Sequence, residues 1–178
     1  MARQIALLRG INLGSRNRVA MADLRRLLED AGHEDVTTLL QSGNVVLTAS
    51  QTGDALARSI ERAIADALGL DIGVEVRSRR QLTAVVDGNP LADVADDPKK
   101  LQVSFLSAAP RRSVVKEIEA ADLAPERVAV RGRTMYVWHA NGIQRSPAAR
   151  LVADRRLGVV ATARNWNTVT KLHELVTA

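Results

Sequence analysis

The apolar residues of this chain change period several times, and each change marks an element. Residues 4–9 (QIALLR) form a short, mostly apolar run, the pattern of a strand covered on both faces. Gly10 and Gly14 punctuate the polar loop that follows. Met21, Leu24, Leu27, Leu28 and Ala31 then recur at helical spacing, and Gly32 stands where a left-handed helix-ending residue belongs. Residues 36–40 and 44–48 predict two strands around a tight Ser42-Gly43 turn. Asp54 opens a helix with Leu56, Ile60, Ala63, Ile64, Ala67 and Leu68 on one face and Gly69 past its end, and residues 72–76 predict another strand. The order is β-α-β-β-α-β, the ferredoxin-like unit.

A helix over residues 79–86 leads into residues 88–98, which are turn-rich, acidic and without period, as a linker would be. The order then repeats. Residues 101–107 predict a strand, and Pro110 suits the first turn of a helix carrying Val114, Val115, Ile118 and Ala121. Residues 128–131 and 135–138 flank Gly132-Arg133 as a hairpin. Ser146-Pro147 is an N-cap and first-turn pair, opening a helix that stops at Gly158. A last strand is expected over residues 159–163, and Asn167 is a candidate cap for a final helix with Val169, Leu172, Leu175 and Val176 inside. The expected fold class is therefore α+β: two ferredoxin-like (βαββαβ) subdomains, antiparallel sheets with helices packed on one face. Residues 1–88 are assigned to the first subdomain with its linking helix, and residues 99–178 to the second with its C-terminal helix.

Composition narrows the chemistry. The 178 residues include no Cys and 3 His, which excludes disulfides, thiol catalysis and Cys-type zinc sites. His33, His139 and His173 lack metal-ligand spacing, so no metal is expected. Hydrophobic residues make up 46% and charged residues 25%, as in a soluble globular protein. No run reaches the ~20 apolar residues of a membrane span, and Arg9, Arg16 and Arg18 interrupt the N-terminal run, which is not a signal peptide. A cytoplasmic protein with no membrane partner is expected.

The net charge is +5 and its distribution is uneven: residues 1–125 carry 16 basic and 17 acidic groups, residues 126–178 carry 9 and 3. A basic last third attracts phosphates or nucleic acid. Only 4 of the 25 basic residues are Lys, the arginine bias of a GC-rich genome, and a solvated basic face is the plainer reading over a dedicated polyanion site. With 1 Phe, 1 Tyr and 2 Trp, the first subdomain's strands offer no base-stacking platform.

Three polar segments fall at strand ends. The first is Arg9-Gly10-Ile11-Asn12, running on to Arg18. Glycine permits close backbone approach, and a loop feeding a helix N-terminus favours anions, although the loop lacks Gly-Lys-Ser/Thr and G-x-G-x-x-G and implies no cofactor. The second is Gln41-Ser42-Gly43-Asn44, and the third Arg164-Asn165-Trp166-Asn167-Thr168 with Lys171 one turn on. Each has a plainer reading as turn and cap residues. Ser42 has no neighbouring base, and His139, after a strand, is the one acid–base candidate.

At these same segments the chain resembles a known family. ALLRGINLGSRNRVAMADLRRLL, QSGNVVLT and ATARNWNTVTKLHEL, with DPKKLQVSFLS, VRGRTMYVW and GIQRSPAARL between them, are similar to the bacterial domain of unknown function 1697 family across nearly the whole chain. The resemblance implies a two-part α+β, ferredoxin-like fold and carries no established activity. Its characteristic polar positions match Arg9, Gly10, Asn12, Gln41, Ser42, Gly43, Asn44 and Arg164 through Thr168. Ser15 stands where the family usually has a second Gly, and Ala20 where it often has Pro.

Three functions follow as expectations. In the first, the subdomains face each other across a polar cleft and bind a small anionic or nucleotide-like ligand through Arg9, Asn12, Gln41, Ser42, Asn44, Arg164, Asn165, Asn167 and Lys171. In the second, the basic C-terminal third binds nucleic acid. In the third, the chain is a regulatory or interaction module without a ligand.

Overall fold

The apolar runs become the two central strands of two sheets. The computed structural model describes residues 1–178, which divide into two units: Met1–Ala84 with Leu172–Ala178, and Val85–Lys171. In the first unit, β1 (Ala2–Leu8), α1 (Met21–Asp30), β2 (Glu34–Leu39), β3 (Asn44–Ala49), α2 (Gly53–Leu68) and β4 (Val74–Ser78) follow in the expected β-α-β-β-α-β order. They make a four-stranded antiparallel sheet ordered β2-β3-β1-β4. Alternation sends Ala6 and Leu8 of β1 to one face, where they join Leu24 and Leu28 of α1 and Leu56, Ile60 and Ile64 of α2. Each fully buried Leu or Ile of this layer contributes about 1.5–3 kcal/mol.

The other face of β1 is not open. Ile5 and Leu7 are also fully buried. Arg77, opposite Ile5, and Glu75, opposite Leu7, form a buried ion pair. Part of the cover comes from the far end of the chain. Arg3, on the Ile5 face, donates from Nε and Nη2 to the Leu175 carbonyl at 3.2 and 3.1 Å. His173 meets the Thr83 hydroxyl at 2.9 Å. These bonds attach Leu172–Ala178 to the first unit. The division of the chain therefore differs from the expected 1–88 and 99–178: the first unit ends earlier and regains the last seven residues.

The second unit repeats the pattern with β5 (Leu101–Leu106), α4 (Arg112–Ala120), β6 (Arg127–Arg131), β7 (Thr134–Trp138) and β8 (Ala161–Asn165), ordered β6-β7-β5-β8 and antiparallel throughout. Before β5 runs α3 (Arg79–Asp87), and the linker region 88–98 holds only turns. Leu106, Ile118, Val130, Met135, Val137, Ala148 and Leu157 form the core. Ser146 caps α5 (Pro147–Leu151) as expected, accepting from the Ala149 N–H with Pro147 in the first turn. The helix expected to run to Gly158 is broken: α5 ends at Leu151, and a separate turn, α6 (Asp154–Leu157), stops at left-handed Gly158. The final helix is α7 (Trp166–Thr177). No helix is long and apolar enough to cross a membrane.

One glycine fixes how the first unit's loops close. Gly43, at φ +75°, lies so near β1 that an added Cβ would meet Leu8 Cβ at 2.6 Å and Ile11 Cδ1 at 2.8 Å. Gly10 has a similar φ of +68° but open space around it. Gly43→Ala therefore adds a clash to the left-handed strain and is expected to cost about 2–5 kcal/mol, against about 1–2 for Gly10→Ala. Urea midpoints of the two variants measure the gap, and equal losses would contradict the close-approach account.

Candidate functional site

The first two polar segments meet at one edge of the first sheet. At the end of β1, the Leu8 N–H donates to Gly43 O at 2.8 Å and the Arg9 N–H to Gly73 O at 2.9 Å, so three connections are drawn together. The loop then folds on itself as a small hairpin. The Asn12 N–H reaches Asn17 O at 3.0 Å and the Arg16 N–H reaches Leu13 O at 3.2 Å, with Gly14-Ser15 at the tip. Asn12 and Asn17 hold φ of 53° and 48°, a region their short amide side chains tolerate. Only Gly14 of the tip pair has positive φ, so Ser15 in place of a second glycine carries no backbone penalty.

The amides of this loop are spent on backbone groups of the loop itself and of the β2–β3 turn. Asn12 Nδ2 donates to Val19 O at 2.9 Å and to Gln41 O at 2.7 Å, while Oδ1 accepts from the Val19 N–H at 2.9 Å. Asn17 Nδ2 donates to Gly10 O at 3.1 Å. Ile11 and Val19 are tucked into the core. In the second segment Asn44 is fully buried, and its Nδ2 donates to Leu39 O and Ser42 Oγ at 3.0 and 2.9 Å. The exposed members of the site are thus Arg9, Gln41 and Ser42, joined by Arg16 and Arg18. Arg18 rests one guanidinium nitrogen on Gly14 O at 3.1 Å.

The third segment lies in the second unit, where β8 passes directly into α7. Asn165, not Asn167, is the cap: its Oδ1 accepts from the Thr168 N–H at 3.0 Å. The strand continues two residues further than its apolar pattern indicates, which moves the cap back by two. Asn167 and Lys171 are exposed on the first turns, and Trp166 is half-buried. Arg164 pairs in register with Val103 and donates to Ala163 O at 2.8 Å. Burial pulls its pKa down to about 10, which leaves the guanidinium charged at neutral pH.

A chain of buried polar side chains in the second unit has no signature in the sequence beyond His139 and the Ser146 cap. Glu126 Oε2 accepts from Ser146 Oγ and from the Ala148 N–H, both at 2.9 Å. With its proton given to Glu126, Ser146 Oγ accepts from the Ala149 N–H at 3.0 Å and from His139 Nδ1 at 2.7 Å. His139 Nδ1 therefore carries the ring proton in the neutral form, and Nε2 is an acceptor. Nε2 lies 3.0 Å from Gln102 Oε1; with Nδ1–H donating to Ser146, a neutral ring bonds Gln102 only when that amide is turned over to bring its NH2 to Nε2. Desolvation lowers the His139 pKa from 6.5, partly offset by the Glu126 charge. With both nitrogens bonded and 1% of its surface exposed, His139 is not an open acid–base group. Ser146 is 3% exposed, and its hydroxyl is held between Glu126, the Ala149 N–H and His139. No three His, Asp or Glu residues come together as a metal site.

The neutral His139 has a consequence for stability. Its folded pKa lies below the unfolded value of 6.5, so as pH falls below 6.5 the unfolded chain takes up a proton that the folded chain resists. Stability is fully present above 6.5 and declines as pH drops toward the lowered folded value. Half-buried His33, also lowered by burial, adds in the same direction. Urea midpoints from pH 7.5 to 5 should fall for the wild type and fall less for His139→Gln. An unchanged pH slope in that variant would contradict the assignment.

A family model, Protein of unknown function (DUF1697), matches residues 1–136. No curated protein matches the chain. Among solved structures, the conserved bacterial protein SP0830 from Streptococcus pneumoniae is similar over 98% of each chain, with 22% identity and a TM-score of 0.75. At that identity the likeness speaks for the fold alone. The family model spans the whole first unit's β-α-β-β-α-β segment, both clasped loops included, and the chain belongs to the DUF1697 family.

Proposed function

We propose that the protein binds a small anionic, nucleotide-like ligand on the clasped loops of the first unit. The observation that carries this reading is the division of labour within the loop. Asn12 spends its entire amide holding the hairpin to Val19 and Gln41, while Arg9, Arg16 and Arg18 on the same loop stay exposed. A pinned loop presents guanidinium groups at little ordering cost, and guanidinium forks suit phosphate and carboxylate oxygens. Immediately after it, α1 begins without a side-chain cap at Ala20, so the positive end of the helix adds to the same field.

Apolar surface accompanies the charge. Leu13 is 68% exposed on the hairpin and Leu40 is 61% exposed on the β2–β3 turn, each one residue from the bonded Asn12–Gln41 pair. Leu40 also holds φ +61°, a conformation a leucine adopts only at a cost of about 1–2 kcal/mol. These side chains offer a ring or base a surface to lie on. Asn167 and Lys171, exposed on the first turns of α7, are proposed as anion contacts of the second unit by itself. The same reading keeps ferredoxin-like packing as the proposed description of each unit, its support being the βαββαβ order and the shared strand arrangement.

Thermal shift and calorimetry with inorganic phosphate, AMP and ATP test the proposal. A ligand at a hundredfold excess over its Kd should stabilise the wild type by about 2.7 kcal/mol. The Arg9→Ala/Arg16→Ala/Arg18→Ala variant should lose that stabilisation with its own fold intact. An equal response in both proteins, or none to any phosphorylated compound, would overturn it. Binding to duplex or single strands that falls steeply with salt and survives the triple substitution would favour the basic C-terminal third instead.

A further inference from the structure

A single exposed leucine is ordinary on a protein surface, but Leu13 and Leu40 stand together. Asn12 Nδ2 reaches Gln41 O at 2.7 Å, so the residue after Asn12 and the residue before Gln41 are held at one edge of the first unit. Leu13 is 68% exposed beside the hairpin tip, and Leu40 is 61% exposed on the β2–β3 turn. Leu40 is unfavourable twice over. Its side chain lies in water, and its backbone holds φ +61°, where glycine or asparagine would sit with less strain. The core makes no use of either leucine, since these loops already fill it with Ile11 and Val19.

The charge carried with them has one sign. Residues 9–22 and 36–53 contain three arginines, Arg9, Arg16 and Arg18, and no Asp or Glu. All three arginines are exposed. Carboxylates flank the two segments at Asp23, Asp35 and Asp54, and exposed Asp71 lies on the connection whose Gly73 O holds the Arg9 N–H. Neither segment contains an aromatic residue. A nucleic acid strand would want rings for its bases to stack on, and leucine offers none. Apolar tips accompanied by guanidinium groups suit a surface that is anionic outside and hydrocarbon within.

We propose that the clasped loops of the first unit dock on an anionic lipid surface, with Leu13 and Leu40 entering the boundary between headgroups and acyl chains and Arg9, Arg16 and Arg18 meeting lipid phosphates. The inference rests on one part of the anion reading above, the attraction of the pinned arginines for phosphate oxygens, and is otherwise independent of it. Asn12 holds both tips before contact, so docking orders little. Each arginine near an anionic leaflet contributes about fivefold to partitioning, and salt screens that contribution. Two leucines and three arginines give reversible, peripheral binding.

The test sediments the full chain with vesicles of phosphatidylcholine alone and of phosphatidylcholine with phosphatidylserine, at low and high salt. Inorganic phosphate is titrated in parallel by thermal shift. The wild type should bind the phosphatidylserine vesicles, less so at high salt, and leave phosphatidylcholine alone. Leu13→Ser/Leu40→Gly should weaken vesicle binding by about fivefold or more, because the apolar contact is gone. Its urea midpoint should not fall, since glycine relieves the left-handed strain at Leu40, and its phosphate response should be unchanged. Arg16→Ala/Arg18→Ala should weaken both responses. Undiminished vesicle binding by the folded leucine variant would overturn the proposal, as would a wild type that ignores phosphatidylserine vesicles. A phosphate response without vesicle binding overturns it too and leaves the small-ligand reading standing. Vesicle binding that is lost in the leucine variant, with no phosphate response in the wild type, upholds the proposal and removes the small-ligand reading.

Discussion

A single asparagine sets the shape of the first unit's polar edge. The loop between β1 and α1 makes a tight reversal in which the backbone of Val19 has no strand or helix partner. Asn12 supplies both the donor and the acceptor that Val19 needs, and its second amide hydrogen holds the neighbouring β2–β3 turn through Gln41 O. Buried backbone groups must be paired, and here one side chain pairs both groups of buried Val19 and reaches a third on exposed Gln41. Everything exposed on that edge depends on this arrangement: the positions of Arg9, Arg16 and Arg18, the outward Leu13 and Leu40, and the free start of α1. Gly43 completes it from the other side by letting the turn approach Leu8 where no side chain would fit.

The second unit solves a similar problem with side chains of higher stakes. Glu126 gathers the N-terminus of α5 and the Ser146 hydroxyl, and Ser146 passes the chain of bonds to His139 and Gln102. Directionality runs one way along it. Ser146 gives its hydrogen to Glu126 and accepts from His139 Nδ1, which sets the proton of the neutral ring on Nδ1, while burial disfavours the charged ring. A carboxylate, a serine and a histidine in contact resemble catalytic furniture, yet the bond order and the burial make them a brace.

Much of the fold was legible from periodicity. The β-α-β-β-α-β order of the first unit, the Gly132-Arg133 hairpin and the Ser146-Pro147 cap all stand where local pattern puts them. The misreadings share a physical cause, which is information carried by distant parts of the chain. Leu172–Ala178 reads as the tail of the second half, but its attachment comes from Arg3 and Thr83, more than eighty residues away. β8 extends through polar Arg164 and Asn165 because β5 pairs with them, so Asn165 becomes the cap. The amides were visible as polar residues at strand ends, whereas whether an amide faces a ligand or its own backbone depends on loop closure, which no spacing rule records. Gln102, Glu126, His139 and Ser146, joined in one chain of side-chain contacts, come from four separate stretches of sequence, and no spacing rule links them.

Hydrogen exchange at the Val19 amide tests the account most directly, because that N–H lies in an irregular loop and is held only by the Asn12 side chain. The account predicts protection comparable to the amides of β1, lost in Asn12→Ala while β1 itself stays protected. Exchange of the Val19 amide at the rate of an unstructured peptide in the wild type would contradict it.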